Sequence, residues 1–171
     1  CLIGPQAMLT DCIVEEGCTI NASQCEESTI RRDCEIGPYT HIRPRCVVGE
    51  GSRIGAFVQL KNCTLGKDTR MAHLTYVGDS DVGDGCNFGC GTITCNYDGF
   101  KKYRTTIGKG VFVGCNTNLV APVTVEDGAF IAAGTTVAER VPQDAMAIGR
   151  VRQENKEHWA AENRKKKGKK G

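Results

Sequence analysis

No apolar run in the 171 residues approaches the length that crosses a membrane, so no membrane-spanning helix is expected. The opening residues lack the charged and apolar blocks of a secretory segment, which points to a cytoplasmic protein. A net charge of +2 lacks the strong basic excess of nucleic-acid binders, so no nucleic acid partner is expected. Only three histidines occur, His41, His73 and His158, and no Cys-x-x-Cys pair appears among the eleven cysteines. No metal site is therefore expected; the spacing of Cys86, Cys90 and Cys95 is a weak metal signal at best. The odd cysteine count also argues against a disulfide scaffold. Cys18, Cys34, Cys46, Cys63 and Cys86 read instead as reduced, small, weakly polar filler.

What the sequence does hold is a beat of six. Ile107, Val113, Leu119, Val125, Ile131 and Val137 put an aliphatic side chain at every sixth position, as do Ile30, Ile36, Ile42, Val48, Ile54 and Leu60. A helix repeats near 3.6 residues and a half-buried strand every two, so a strict six means short extended segments meeting at corners. Such hexapeptide repeats build a parallel β-helix in which three rungs make one triangular coil. Each aliphatic stacks on its counterpart one coil away, roughly 4.8 Å along the axis. The span from Ile3 to Val137 predicts about seven coils at eighteen residues each. Gly4, Gly37, Gly55, Gly66, Gly78, Gly83, Gly108 and Gly114 directly follow rung residues, where tight corners favour a missing Cβ.

Residues 1–35 keep the beat loosely. The chain begins at Cys1 without Met and is in register by Ile3, so it reads as a cut through a longer solenoid. After Val137 the repeat is expected to stop. That divides the chain into a β-helix over 1–140 and an extension over 141–171, with a short helix anchored by Trp159 and a solvated basic tail, KKKGKK.

Three features carry chemistry. Arg43 follows Ile42 and Lys61 follows Leu60, eighteen residues apart, so the two cations stack at one corner of adjacent coils. Like charges so close repel, which makes sense if an anion sits between them; the alternative is that both splay into solvent. AHLTYVGD, residues 72–79, holds His73 and Tyr76 beside that cationic pair on the same outer edge. A neutral imidazole is the natural group to take a proton from an ammonium and free a nucleophilic amine. Residues 91–106, GTITCNYDGFKKYRTT, abandon the repeat, and a loop of that length leaving a solenoid is usually functional.

The series IRP at 42–44, AHLTYVGD, GTITCNYDG, FVG at 112–114, LVAPVTV at 119–125 and IAAGTTV at 131–137 resembles a known family over nearly the whole chain. It is the C-terminal acetyltransferase half of the bacterial bifunctional UDP-N-acetylglucosamine pyrophosphorylase/glucosamine-1-phosphate N-acetyltransferases. The resemblance implies an all-β fold, a left-handed parallel β-helix of hexapeptide repeats with a long excursion loop and a short C-terminal helix. It implies a homotrimer with sites shared between subunits, moving acetyl from acetyl-CoA to the amine of glucosamine 1-phosphate for UDP-N-acetylglucosamine and cell-envelope biosynthesis. By motif match His73 is the general base, Arg43 and Lys61 hold the sugar phosphate, and Tyr76 and Asn87 hold the sugar. Lys102 reaches a neighbour's phosphate.

For acetyl-CoA the resemblance points to Cys90, Asn96, Tyr97, Cys115, Ala133 and Arg150. Cys90 stands where the family often has Ala, tolerable if its backbone N–H is the working donor. Cys115 stands where Ser is usual, and a thiol is the weaker hydrogen-bond partner. The implied route has no covalent intermediate and needs no metal. Three other readings stay open. One is a hexapeptide acyltransferase with another acceptor, such as a different amino sugar or serine. The others are a non-catalytic β-helix scaffold and a γ-type carbonic anhydrase, which the three scattered histidines disfavour.

Overall fold

The computed structural model describes residues 1–167; the last residues of the basic tail lie outside the described part. One flat face of the molecule is a nine-stranded parallel sheet. It runs from Leu2–Gly4 through Thr19–Asn21, Glu35–Ile36, Arg53–Ala56, Arg70–His73, Asn87–Phe88, Phe112–Val113 and Phe130–Ile131 to Met146–Ala147. The second and third faces form one continuous sheet, because Gln59–Leu65 and Tyr76–Val82 run unbroken around the corner between them. This is the parallel β-helix that a period of six requires.

Inside, the rung residues form columns. Ile20, Ile54, Leu60, Met71, Val113, Leu119 and Ile131 have no exposed surface. Each buried aliphatic contributes about 1.5–3 kcal/mol, and only because a neighbouring coil covers it. Cys18, Cys34, Cys46, Cys63 and Cys86 fill the inner corners, all buried and all reduced. Cys25 takes a rung position, and burial pushes its thiol up to about 12.

Several expectations need correction. Among the described residues there are about nine turns rather than seven. Register partners such as Ile3 and Ile20, or Ile20 and Ile36, lie closer than eighteen residues, and the coil continues beyond Val137. Val141 bridges Val125, and Met146–Ala147 pairs with Phe130–Ile131. Ile93 points outward and Thr94 takes the inner rung, where its hydroxyl accepts from the Gly78 N–H at 2.8 Å. The left-handed corner positions belong mostly to other residues, among them Tyr39, Phe57, Leu74, Asn62 and Asp79. Gly55 serves close approach instead: a Cβ there would sit 2.2 Å from the Ala72 carbonyl oxygen. The helix is Trp159–Lys167, but Trp159 is 62% exposed and anchors nothing in the core.

The excursion also differs from expectation. Ile93–Cys95 and Thr105–Ile107 remain in the sheets, so the chain leaves the coil only over residues 96–104. That segment is a small hairpin. Tyr97 and Lys102 bridge antiparallel, and the Asp98 carboxylate accepts from the Phe100 and Lys101 N–H groups at 2.8 Å.

Candidate active site

Two edges of the second face collect the polar groups. Along the edge shared with the first face, Ala56 and His73 are register partners. Backbone bonds from Gly91 to the Leu74 carbonyl, Asn116 to the Cys90 carbonyl and Gly134 to the Cys115 carbonyl continue the row. His73, Cys90, Cys115 and Ala133 therefore stand one above another, a coil apart. His73 ends the strand Arg70–His73; its ring is exposed, and its carbonyl accepts from the Thr75 hydroxyl at 2.8 Å. Above it the edge carries Gly91, Gly114 and Gly134 among small residues, so backbone is bare to a ligand lying along it. The Cys90 N–H bonds no other described residue. At the top, the Arg150 side chain passes within contact distance of the space beside Gly134.

The edge shared with the third face is cationic. The Arg43 N–H donates to the Leu60 carbonyl at 2.9 Å, which places Arg43 one coil from Lys61, as the eighteen-residue spacing requires. Lys102, carried by the hairpin, comes to the same point. Its ammonium, then burial and Arg43, hold Lys61 below the ordinary lysine range, while Asp79 acts in the opposite direction. Lys102 thus acts on Lys61 of its own chain. The hairpin folds back because the Tyr97–Lys102 bridge reverses it.

Under these cations lies a buried hydrogen-bond network that sequence reasoning missed. Asp79, 7% exposed, accepts from the side-chain amides of Asn62 and Asn96. Asn96 also reaches the Tyr76 hydroxyl at 3.4 Å. Arg104 makes a two-pronged bond to Asp81 and donates to the Asn62 carbonyl at 3.4 Å. Asp79 closes the motif AHLTYVGD and Asn62 follows Lys61, so both are sequence neighbours of candidate site residues. Their pairing depends on coil register, which no local signal gives.

The structure brings Arg43, Lys61, Lys102, Tyr76 and Asn96 together, and separately His73, Cys90, Cys115, Ala133 and Arg150. His73 does not share an edge with the cations, contrary to expectation. It lies on the opposite edge of the same face, with Gln59 and Tyr76, register partners, between them. Asn87 sits around the corner on the first face, beside Arg70 and Phe112. Tyr97 is 59% exposed and donates its hydroxyl to the Gly99 carbonyl. His41 is engaged with Glu26 at 3.3 Å, and among the described residues no group of three or more His, Cys, Asp or Glu is placed to hold a metal. Among the same residues, no helix is long and apolar enough to cross a membrane.

Comparisons with known proteins agree with this architecture. The bacterial transferase hexapeptide family, described as six repeats, matches residues 27–62 and 104–139. The chain is 47% identical over 159 residues to bifunctional protein GlmU of Clostridium acetobutylicum, covering 93% of this chain and 35% of that protein. It is 51% identical over 160 residues to bifunctional protein GlmU of Brevibacillus brevis, covering 94% and 35%. The chain thus spans about a third of the length of these curated relatives. Among solved structures, LpxA from Acinetobacter baumannii superposes with a TM-score of 0.52 at 14% identity, covering 96% of this chain and 72% of that one, a likeness of fold alone. Repeat, coil and kinship together make this chain a hexapeptide-repeat domain, related over nearly its whole length to about one third of bifunctional GlmU.

Proposed function

We propose that the chain is a glucosamine-1-phosphate N-acetyltransferase that uses acetyl-CoA and feeds UDP-N-acetylglucosamine and cell-envelope synthesis in the cytoplasm. The observation that carries this reading is the stacking of Arg43 and Lys61 a coil apart at one edge, with Lys102 acting on Lys61, across one face from His73. Five residue steps, one through the left-handed corner at Phe57, lead from Ala56, beneath His73, to Lys61, at most roughly 16 Å at strand rise. Long cationic side chains and an imidazole shorten that gap to the scale of one sugar phosphate. In glucosamine 1-phosphate the phosphate and the amine are on neighbouring carbons, so the long cationic side chains must reach in over Tyr76 to hold the phosphate beside an amine at His73. Asn87 would reach such a sugar only from around the corner.

In this account the cations bind and orient the phosphate, leaving the amine at His73. The neutral imidazole accepts its proton, which frees the nitrogen lone pair for attack. Acetyl-CoA, when bound, supplies a thioester carbonyl as the acetyl source, and as its C–S bond breaks the CoA sulfur leaves as the thiol with the proton that His73 had accepted. The row of small residues above His73 fits a long narrow donor, with Cys90, Cys115, Ala133 and Arg150 along it and Asn96 and Tyr97 at the hairpin. The unpartnered Cys90 N–H is a ready donor where negative charge gathers on oxygen. Exposed Cys115 offers only a weak hydrogen bond, so its backbone matters more than its thiol. The site is shared within a homotrimer, whose neighbouring copies wall the open face.

The test is acetyl transfer with glucosamine 1-phosphate, glucosamine 6-phosphate and serine offered together, read by mass spectrometry. The expected product is N-acetylglucosamine 1-phosphate in large excess. Acetylation of serine alone would overturn the acceptor assignment, and no transfer at all would favour a scaffold.

A further inference from the structure

Two ammonium groups side by side do not stay together unaided. Lys102 rides on a hairpin that leaves the coil, and its repulsion from Lys61 favours swinging the hairpin away. Two staples oppose that motion. The Arg104–Asp81 pair is 44% and 53% exposed, so solvent screens it and its contribution is small. Asp79 is different. Its carboxylate is buried, one oxygen taking the amide of Asn62, the residue after Lys61, and the other taking the amide of Asn96, the first residue of the hairpin. Asn96 is itself only 8% exposed, and its carbonyl accepts from the Tyr103 N–H at 2.9 Å at the hairpin's far side. Hydrogen bonds to a buried charge are roughly twice as strong as neutral ones. Neither carboxylate oxygen points to solvent with a free hand, so Asp79 has no direct part in binding the sugar.

We propose that Asp79 is a positioning residue for the acceptor. It locks the corner behind Lys61 to the base of the hairpin, so that Lys61 and Lys102 converge on one anion, and it sets the Tyr76 hydroxyl through Asn96. The proposal rests on the sugar-phosphate reading above. It predicts that loss of Asp79 harms acceptor binding far more than donor binding, because Cys90, Cys115, Ala133 and Arg150 stand on the other edge and only Asn96 is common to both.

The test compares Asp79→Gly with Asp79→Asn. Glycine accepts the left-handed backbone at this position, φ +49, and deletes the staple. Asparagine also tolerates that backbone, and it can bond both amides once Asn96 turns over. Asp79→Gly is expected to raise the KM for glucosamine 1-phosphate by about tenfold and that for acetyl-CoA by less than about twofold. Hydrogen exchange at the Tyr103 amide should quicken. Asp79→Asn should recover most of both effects. The proposal is overturned if acceptor and donor KM rise together, if Tyr103 exchange does not change, or if Asp79→Asn is as impaired as Asp79→Gly. The last outcome would assign Asp79 a purely electrostatic role. Failure of the unmodified chain to acetylate the sugar would sink the reaction reading alone, since amide exchange reports the staple without turnover.

Discussion

Cys25 and Cys34 show how far burial overrides the chemistry of a side chain. Desolvation pushes both thiols up to about 12, so the nucleophilic thiolate is scarce at any ordinary pH. Cys1 and Cys115 are exposed, and Cys12, Cys90 and Cys95 are half-buried. Treatment of the native protein with a maleimide at neutral pH, followed by peptide mass spectrometry, should label Cys1 and Cys115 first. The six buried cysteines should resist until the coil is unfolded; rapid labelling of Cys25 or Cys34 would contradict the packing described. The filler role of these residues was legible in the sequence, because small side chains recurred between rungs. The role of Asp79 was not. Its partners, Asn62 and Asn96, are seventeen residues away on either side, and only the register of stacked coils joins them.

At the scale of elements, the hairpin of residues 96–104 is the part built under electrical tension. Lys102 is the foremost cause of the depressed Lys61 value. A lysine whose folded value lies below its unfolded one binds fewer protons when folded. Stability therefore rises as pH climbs from the depressed folded value toward the usual lysine value, and that rise reports the repulsion. Lys102→Met should flatten the rise and lift the melting temperature at neutral pH by about 1 °C, an effect that salt diminishes. It should also weaken sugar-phosphate binding. A fall in melting temperature with unchanged binding would mean that Lys102 supports the hairpin rather than the site. The sequence announced this loop by its broken period but set its bounds too wide. Ile93 looked like a rung residue, whereas the polar Thr94 sits inside and caps the Gly78 backbone, which aliphatic periodicity cannot foresee.

Across the whole molecule, a strict period of six was enough to specify coils, an inner column and parallel pairing. It did not specify which edge each outward residue occupies. Turns of sixteen to eighteen residues shift the outer face without disturbing the inner one, so His73 and the cations, placed at one edge by counting, stand at opposite edges of one face. That separation suits the proposed chemistry, because it gives the phosphate and the amine of one sugar distinct anchors. The most direct test is steady-state acetyl transfer to glucosamine 1-phosphate by the unmodified chain, His73→Ala and Lys61→Ala. Division of labour across the face predicts that His73→Ala lowers kcat by about 10²–10⁴-fold with the sugar KM nearly kept. Lys61→Ala should instead raise the sugar KM by about tenfold or more with kcat largely retained. Wild-type kinetics in His73→Ala, or the same loss pattern in both variants, would contradict it.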